Sequence, residues 1–165
     1  KRLPVATFDD LLERGTLPDR YRPTLFDFIA NEALQFYTSG EQAGARPEDA
    51  FEMTADSPML ASAADFLAWN PATTDTGAPH LKAVRLYQEL LRFHQRDSDV
   101  TAFVDADLSR LQFGYNTVLG ETKGARYRTA LQAISRRHAD VADGYVSKDA
   151  VERDYGAVDK VSAAE

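Results

Sequence analysis

Three histidines, His80, His94 and His138, are the residues in this chain best suited to move a proton or hold a metal. No two stand four apart, and none falls at a metal-ligand spacing from another. A histidine that acts as a base also needs a second group to orient it. Each lies near a helix end in a surface-type context, so each is expected to be a solvated or capping imidazole. The stretch DSDVTAFVDADL, residues 97–108, has the aspartate count of a calcium loop, but Ala102 stands where the sharp turn needs glycine and Leu108 where a bidentate glutamate is needed. Its aspartates are expected to cap the helix that follows. Cysteine is absent, which removes thiolate metal sites, disulfides and a cysteine nucleophile. A glycine-rich phosphate loop and a nucleophile elbow are missing as well. Carboxylates are many, and the sequence nominates no converging pair among them. No catalytic, cofactor-binding or metal-ligating residue is therefore assigned, no cofactor is called for, and the chain is expected not to be an enzyme.

The bulk properties narrow the partners. With 165 residues, 44% hydrophobic and 27% charged, the chain suits one folded domain with a real core. A formal net charge of −7 disfavours nucleic acid, because phosphate binding needs a basic face. Arg136, Arg137 and His138 form the only compact basic cluster, and a helix C-terminus accounts for it. No apolar run approaches the ~20 residues that cross a bilayer, so direct membrane insertion is not expected. The chain begins at Lys1 without an initiator methionine and is expected to be a piece of something longer.

Short breakers cut the chain into helical blocks, and alternating patterns are nearly absent, which predicts an all-α class. TFDDLLERG, residues 7–15, reads as a short helix capped by Thr7. Pro23 to Gly40 reads as a helix whose Phe26, Ile29, Ala33 and Phe36 or Tyr37 form one stripe, widened by Leu25, Phe28 and Leu34. So much apolar circumference predicts a central helix buried between neighbours. A loop with Phe51 and Met53 as anchors follows, and then a helix capped by Ser57 and opened by Pro58. The clearest amphipathic segment is HLKAVRLYQELLRFHQRD, residues 80–97, with Leu81, Val84 and Leu91 in one row. Two more helices are expected near 102–118 and 124–139, the first ended by Gly120. Residues 1–140 then form one helical domain, an irregular array of antiparallel hairpins with a loose likeness to tetratricopeptide units. Residues 141–165 are expected to be a C-terminal extension with a short helix near Ser147 to Tyr155 and fraying beyond.

The blocks YRPTLFDFIANEALQFYTSG, ADFLAWNPATTD, LKAVRLYQELLRFH and VDADLSRLQFGY, in that order, resemble the helical region near the N-terminus of large bacterial alpha-2-macroglobulin-like proteins, over about Phe8 to Asp140. The resemblance implies a non-catalytic part of a long envelope, periplasmic or secreted protein that traps peptidases. Its partners would be other domains of the same chain. Members that act covalently carry a C-G-E-Q thioester, and here Ser39, Gly40, Glu41 and Gln42 stand in a row. Serine has no thiolate with which to form that bond, so these residues are expected to be a helix stop and a polar loop.

Two functions from different classes follow: a scaffold segment of such a protein, and a free-standing tetratricopeptide-like adaptor that binds a peptide or protein in a groove. If the helices belong to an array, one end should expose an apolar face, and the helix from Gly124 to Asp140 is the candidate.

Overall fold

The computed structural model describes residues 2–13, 15–39 and 49–137, which form five α-helices, short 3₁₀ turns and no sheet. The chain is all-α, as its patterning predicts. Helix α1 spans Leu25–Thr38. Thr24 and Asp27 start it with a reciprocal capping box, in which the Thr24 hydroxyl accepts from the Asp27 N–H and the Asp27 carboxylate accepts from the Thr24 N–H. Pro23 lies just outside the helix. Helix α2 is short, Ala63–Ala68, and α3 spans Pro79–His94. Helices α4, Thr101–Thr117, and α5, Lys123–Arg137, complete the set.

Helix α3 is the centre of the packing. Leu81, Val84 and Leu91 are fully buried, the row that the sequence pattern selects. It contacts α1, α2 and α4, while α4 contacts α5 and the 3₁₀ turn Pro58–Leu60. Phe51 and Met53 are core anchors, as expected. Between Met53 and Ala55 the chain pairs with Leu119, whose N–H donates to the Met53 carbonyl at 2.9 Å and whose carbonyl accepts from Ala55 N–H at 2.7 Å. Gly120 follows with φ 125°, a conformation costly for any residue with a Cβ, and turns the chain toward α5. Helix α4 itself stops at Thr117, short of the Gly120 stop predicted for it.

Three other expectations are corrected. Helix α1 is not central: its Asp27, Ala30 and Leu34 face is buried, while Ile29 and Phe36 are 56% and 61% exposed. The described residues of the 7–15 stretch do not form an α-helix. A 3₁₀ turn, Val5–Phe8, stands there instead, and Leu11 is exposed. So short a segment has too few bonds to offset nucleation without a face to bury, and its neighbours Leu3 and Val5 bond with Leu25 and Pro23 at the start of α1. The helix expected from Ser57 onward is split in two, Pro58–Leu60 and then α2, with Ser62 rather than Ser57 as the cap of the second. Gly40 to Gln42, His138 and the short helix expected near Ser147 to Tyr155 lie outside the described residues.

Gly114 lets the 3₁₀ turn lie close on α4. A Cβ built there would stand 2.9 Å from Leu60 Cδ2 and 2.9 Å from Met59 Cγ, below any normal contact. Gly114→Val adds two methyls beyond that point, and overpacking of this kind costs about 1–3 kcal/mol. Urea unfolding should show that loss, and a stability equal to wild type would contradict the packing.

Candidate functional site

Two buried polar constellations and one groove hold the chemistry of the described residues. The first joins α1 to α3. His94 closes α3 and is only 2% exposed. Its Nε2 lies 2.6 Å from Asp27 Oδ1, and its Nδ1 lies 2.7 Å from Asp97 Oδ2. Asp27 is equally buried, and its other oxygen takes the Thr24 N–H at 2.8 Å and the Thr24 hydroxyl at 2.7 Å. Arg2 completes the chain of charges: Nη1 donates to Asp97 Oδ1 at 3.1 Å, and the guanidinium lies over the Phe93 ring.

Burial alone would push the His94 pKa down. The hydrogen bonds to Asp27 and Asp97 outweigh it and hold the pKa above the usual 6.5. Burial likewise raises the Asp97 carboxyl, and the bonds from His94 and Arg2 override it to leave its pKa lowered. The group is therefore an imidazolium between two carboxylates. With a proton on each nitrogen it has no lone pair to offer as a base, and its burial keeps substrate from its acid protons. The two carboxylates sit on opposite edges of the ring, so they do not converge on a common point where an ion would bind. Among the described residues no group of three or more His, Asp or Glu side chains is placed to hold a metal.

His94 thus departs from its expected role: it is a buried cross-link, neither solvated nor a simple cap. His80 is half-buried with its ring edge-on to Phe113 at 5.4 Å. The capping expectation for residues 97–108 holds only in part: the N-cap of α4 is Val100, without a side-chain cap, while Asp99 just before it accepts through Oδ1 from the Thr101 N–H at 2.9 Å and from its hydroxyl at 2.5 Å.

The second constellation lies in α4 and escaped the sequence reading. Arg110 is 0% exposed. Its Nε and Nη2 donate to Asp107 Oδ1, and its Nη1 donates to the carbonyls of Met59 at 2.7 Å and Ala61 at 3.1 Å. The guanidinium also covers the Phe66 ring at 4.7 Å. Burial lowers the Arg110 pKa, and the adjacent Asp107 carboxylate opposes that shift. These bonds explain the split helix. The carbonyls of Met59 and Ala61 turn to Arg110 instead of continuing a helical ladder, and a new helix begins at Ser62. Helix α2 is finished by the same device, with Gln88 Nε2 donating to the carbonyls of Phe66 and Trp69 and Arg92 Nη2 to that of Leu67.

Above Asp107 and Arg110 a groove of about 440 Å³ opens between α2, α4 and α5. Leu60, Ala63, Phe103, Ala130 and Ile134 give it apolar walls, and Arg126 stands at its edge. Asp107 Oδ1 takes both bonds from Arg110, and the nearly buried Asp107 side chain is among the residues that line the groove. The volume falls within the range of ligand pockets, and the shape is that of an open trough.

Comparison with known protein families, with curated proteins and with solved structures finds no match to this chain. Among the described residues no helix is long and apolar enough to cross a membrane.

Proposed function

We propose that the chain is a non-catalytic helical scaffold and interaction segment of a bacterial alpha-2-macroglobulin-like, peptidase-trapping protein. In this reading it packs as an irregular array of helical hairpins against other domains of the same long chain, in the cell envelope or outside the cell. The observation that carries the non-catalytic part is the use made of the buried charges. His94 spends both nitrogens on Asp27 and Asp97, and Arg110 spends its donors on Asp107 and two carbonyls. Each of these groups ties one element of the fold to another. The ordered resemblance of four sequence blocks supports the family, and Ser39 in place of a thioester cysteine agrees with a segment that traps nothing covalently.

The complete reading frame tests it. Macroglobulin-type domains and an export signal should flank this segment, and the isolated domain should leave peptidase turnover unchanged while the complete protein lowers it toward large substrates. A frame that closes on this domain alone overturns the reading. The apolar groove favours a second reading, a free-standing adaptor for a peptide or protein helix. That reading requires saturable binding by a chain with no further domains.

A further inference from the structure

Two apolar surfaces of the described residues face solvent, and they belong to different outer helices: α1 makes its main contacts with α3, and α5 makes its own with α4 and the 3₁₀ turn. The first surface is a ridge on α1. Ile29 and Phe36 stand seven positions apart, two turns of helix, so they share one face about 10 Å from each other along the axis. They are 56% and 61% exposed, although Phe36 also meets the Tyr37 ring edge-on. Glu32 is exposed between them. The second surface is the groove between α2, α4 and α5, where Leu60, Phe103 and Ile134 form the sides and Ala130 and Ala133 are small enough to let another helix approach closely. The two surfaces differ in charge. Helix α1 carries two carboxylates and no cation, and with Asp27 buried on His94 the surface carboxylate is Glu32. Helix α5 carries five cations and no carboxylate. Arg126 is held by Asp56 and Lys123 lies over the Tyr115 ring, whereas Arg136 is exposed and follows Thr129 by two turns, which places it on the rim of the groove.

We propose that the groove receives the α1 ridge of a second copy of this chain, in a head-to-tail contact with Ile29 and Phe36 between the groove walls and Glu32 beside Arg136. The lengths agree. The α5 wall from Ala125 to Ile134 runs about 14 Å, enough to take the ridge of about 10 Å. Charge selects this pairing over the symmetric ones. Groove against groove would bring two basic helices together, and ridge against ridge would set Glu32 near its own copy, while ridge against groove joins opposite signs. Because the two surfaces are different, a docked pair still presents a groove at one end and a ridge at the other, so the contact propagates into a row or closes into a ring. One helix face in a trough lies at the small end of specific interfaces, so the association is reversible and depends on protein concentration. The inference goes beyond the scaffold reading and does not depend on it, since it concerns copies of this chain whatever domains flank them.

Sedimentation velocity on the full chain tests it. The average mass of the wild type should rise above that of one chain as the protein concentration is raised toward about 1 mM. Ile29→Ser with Phe36→Ser removes the ridge, and Thr129→Arg with Ala133→Arg fills the groove. All four positions are exposed, so both variants should keep the wild-type far-ultraviolet spectrum. Each variant alone should sediment as one chain at every concentration. Mixed in equal amounts they should form a pair and stop there, because the ridge variant still has a groove and the groove variant still has a ridge. A wild-type mass of one chain throughout overturns the inference. So does a groove variant that associates like wild type, which is the result for α1 against α1, and so does a folded pair of variants that stays single on mixing. If either variant loses its fold, a charge swap decides: Glu32→Lys should weaken wild-type association about 2–5-fold, and Arg136→Glu added to the same chain should restore it, while a failure to restore overturns the contact.

Discussion

Arg110→Met should destabilise the fold by about 3–5 kcal/mol, the usual cost of breaking a buried ion pair by removing one partner. The methionine fills most of the volume and keeps a contact with Phe66, so the loss isolates the polar role. Two distinct debts are created. Asp107 becomes a buried carboxylate without its counter-charge, and the carbonyls of Met59 and Ala61 lose their donor. Each orphaned polar group costs roughly 1–3 kcal/mol. A double variant separates them. Arg110→Met with Asp107→Leu removes the charge problem and leaves the carbonyls bare, so it should recover part of the stability and not all of it. Full recovery would mean that the carbonyl bonds contribute little and that the 3₁₀ turn is held by Met59 and Leu60 packing alone. Arg110→Lys should fall between wild type and methionine, because one ammonium cannot reach a carboxylate and two carbonyls with the geometry of a planar fork. Urea midpoints of the four proteins decide the matter, and a single variant within ~1 kcal/mol of wild type would contradict the assignment.

How far the fold could be read from the sequence depended on whether the deciding contact was local. Helix α3 is amphipathic on one clear row, and Leu81, Val84 and Leu91 are buried as that row demands. Helix α1 offers apolar residues on most of its circumference, so composition could not say which face meets α3. The structure answers through Asp27, a polar residue, because its carboxylate is the one that His94 needs across 67 positions of chain. The local half of that link was readable: T-x-x-D from Thr24 to Asp27 is a capping box, and Asp97 follows His94 by one helical turn. The long-range half was not. Arg110 was missed for a similar reason. Asp107 and Arg110 share the helix stripe of Val104 and Leu111, and a charged pair on a buried stripe is a signal for an internal ion pair. What no local pattern supplies is that the guanidinium would also terminate a 3₁₀ turn some fifty residues earlier. The groove is legible only in outline, as an α5 helix expected to expose an apolar face. Its other walls come from Leu60 and Phe103, which the sequence places far from that helix.

Stability should fall as the pH rises above neutrality, and His94 is the cause. Its folded pKa is raised above the unfolded value, so its contribution is complete below about pH 6.5 and is lost as the pH climbs through the folded pKa. The change is physical as well as formal. A neutral imidazole keeps one proton, so either Asp27 or Asp97 must then face a lone pair at 2.6 or 2.7 Å. Asp27 is the partner with less freedom, because it is buried and also holds the first turn of α1, whereas Asp97 keeps Arg2. Loss of the proton should therefore loosen the contact between the end of α3 and the start of α1 first. On the acid side Asp97 acts in the opposite sense. Its folded pKa is lowered, so its contribution is present above about pH 3.8 and disappears as the pH falls through the folded value. Together the two groups place the most stable range between roughly pH 4 and 6.5. Within the alkaline limb the slope reaches at most about 1.4 kcal/mol per pH unit, or about 2–4 °C of melting temperature per kcal/mol for a chain of this size. His94→Gln keeps a polar side chain and cannot titrate, so it should lower stability at pH 6 and flatten the alkaline slope, drawing the wild-type and variant curves together toward pH 9. Parallel curves over that range would show that another group carries the pH dependence and that His94 does not bridge the two carboxylates as an imidazolium.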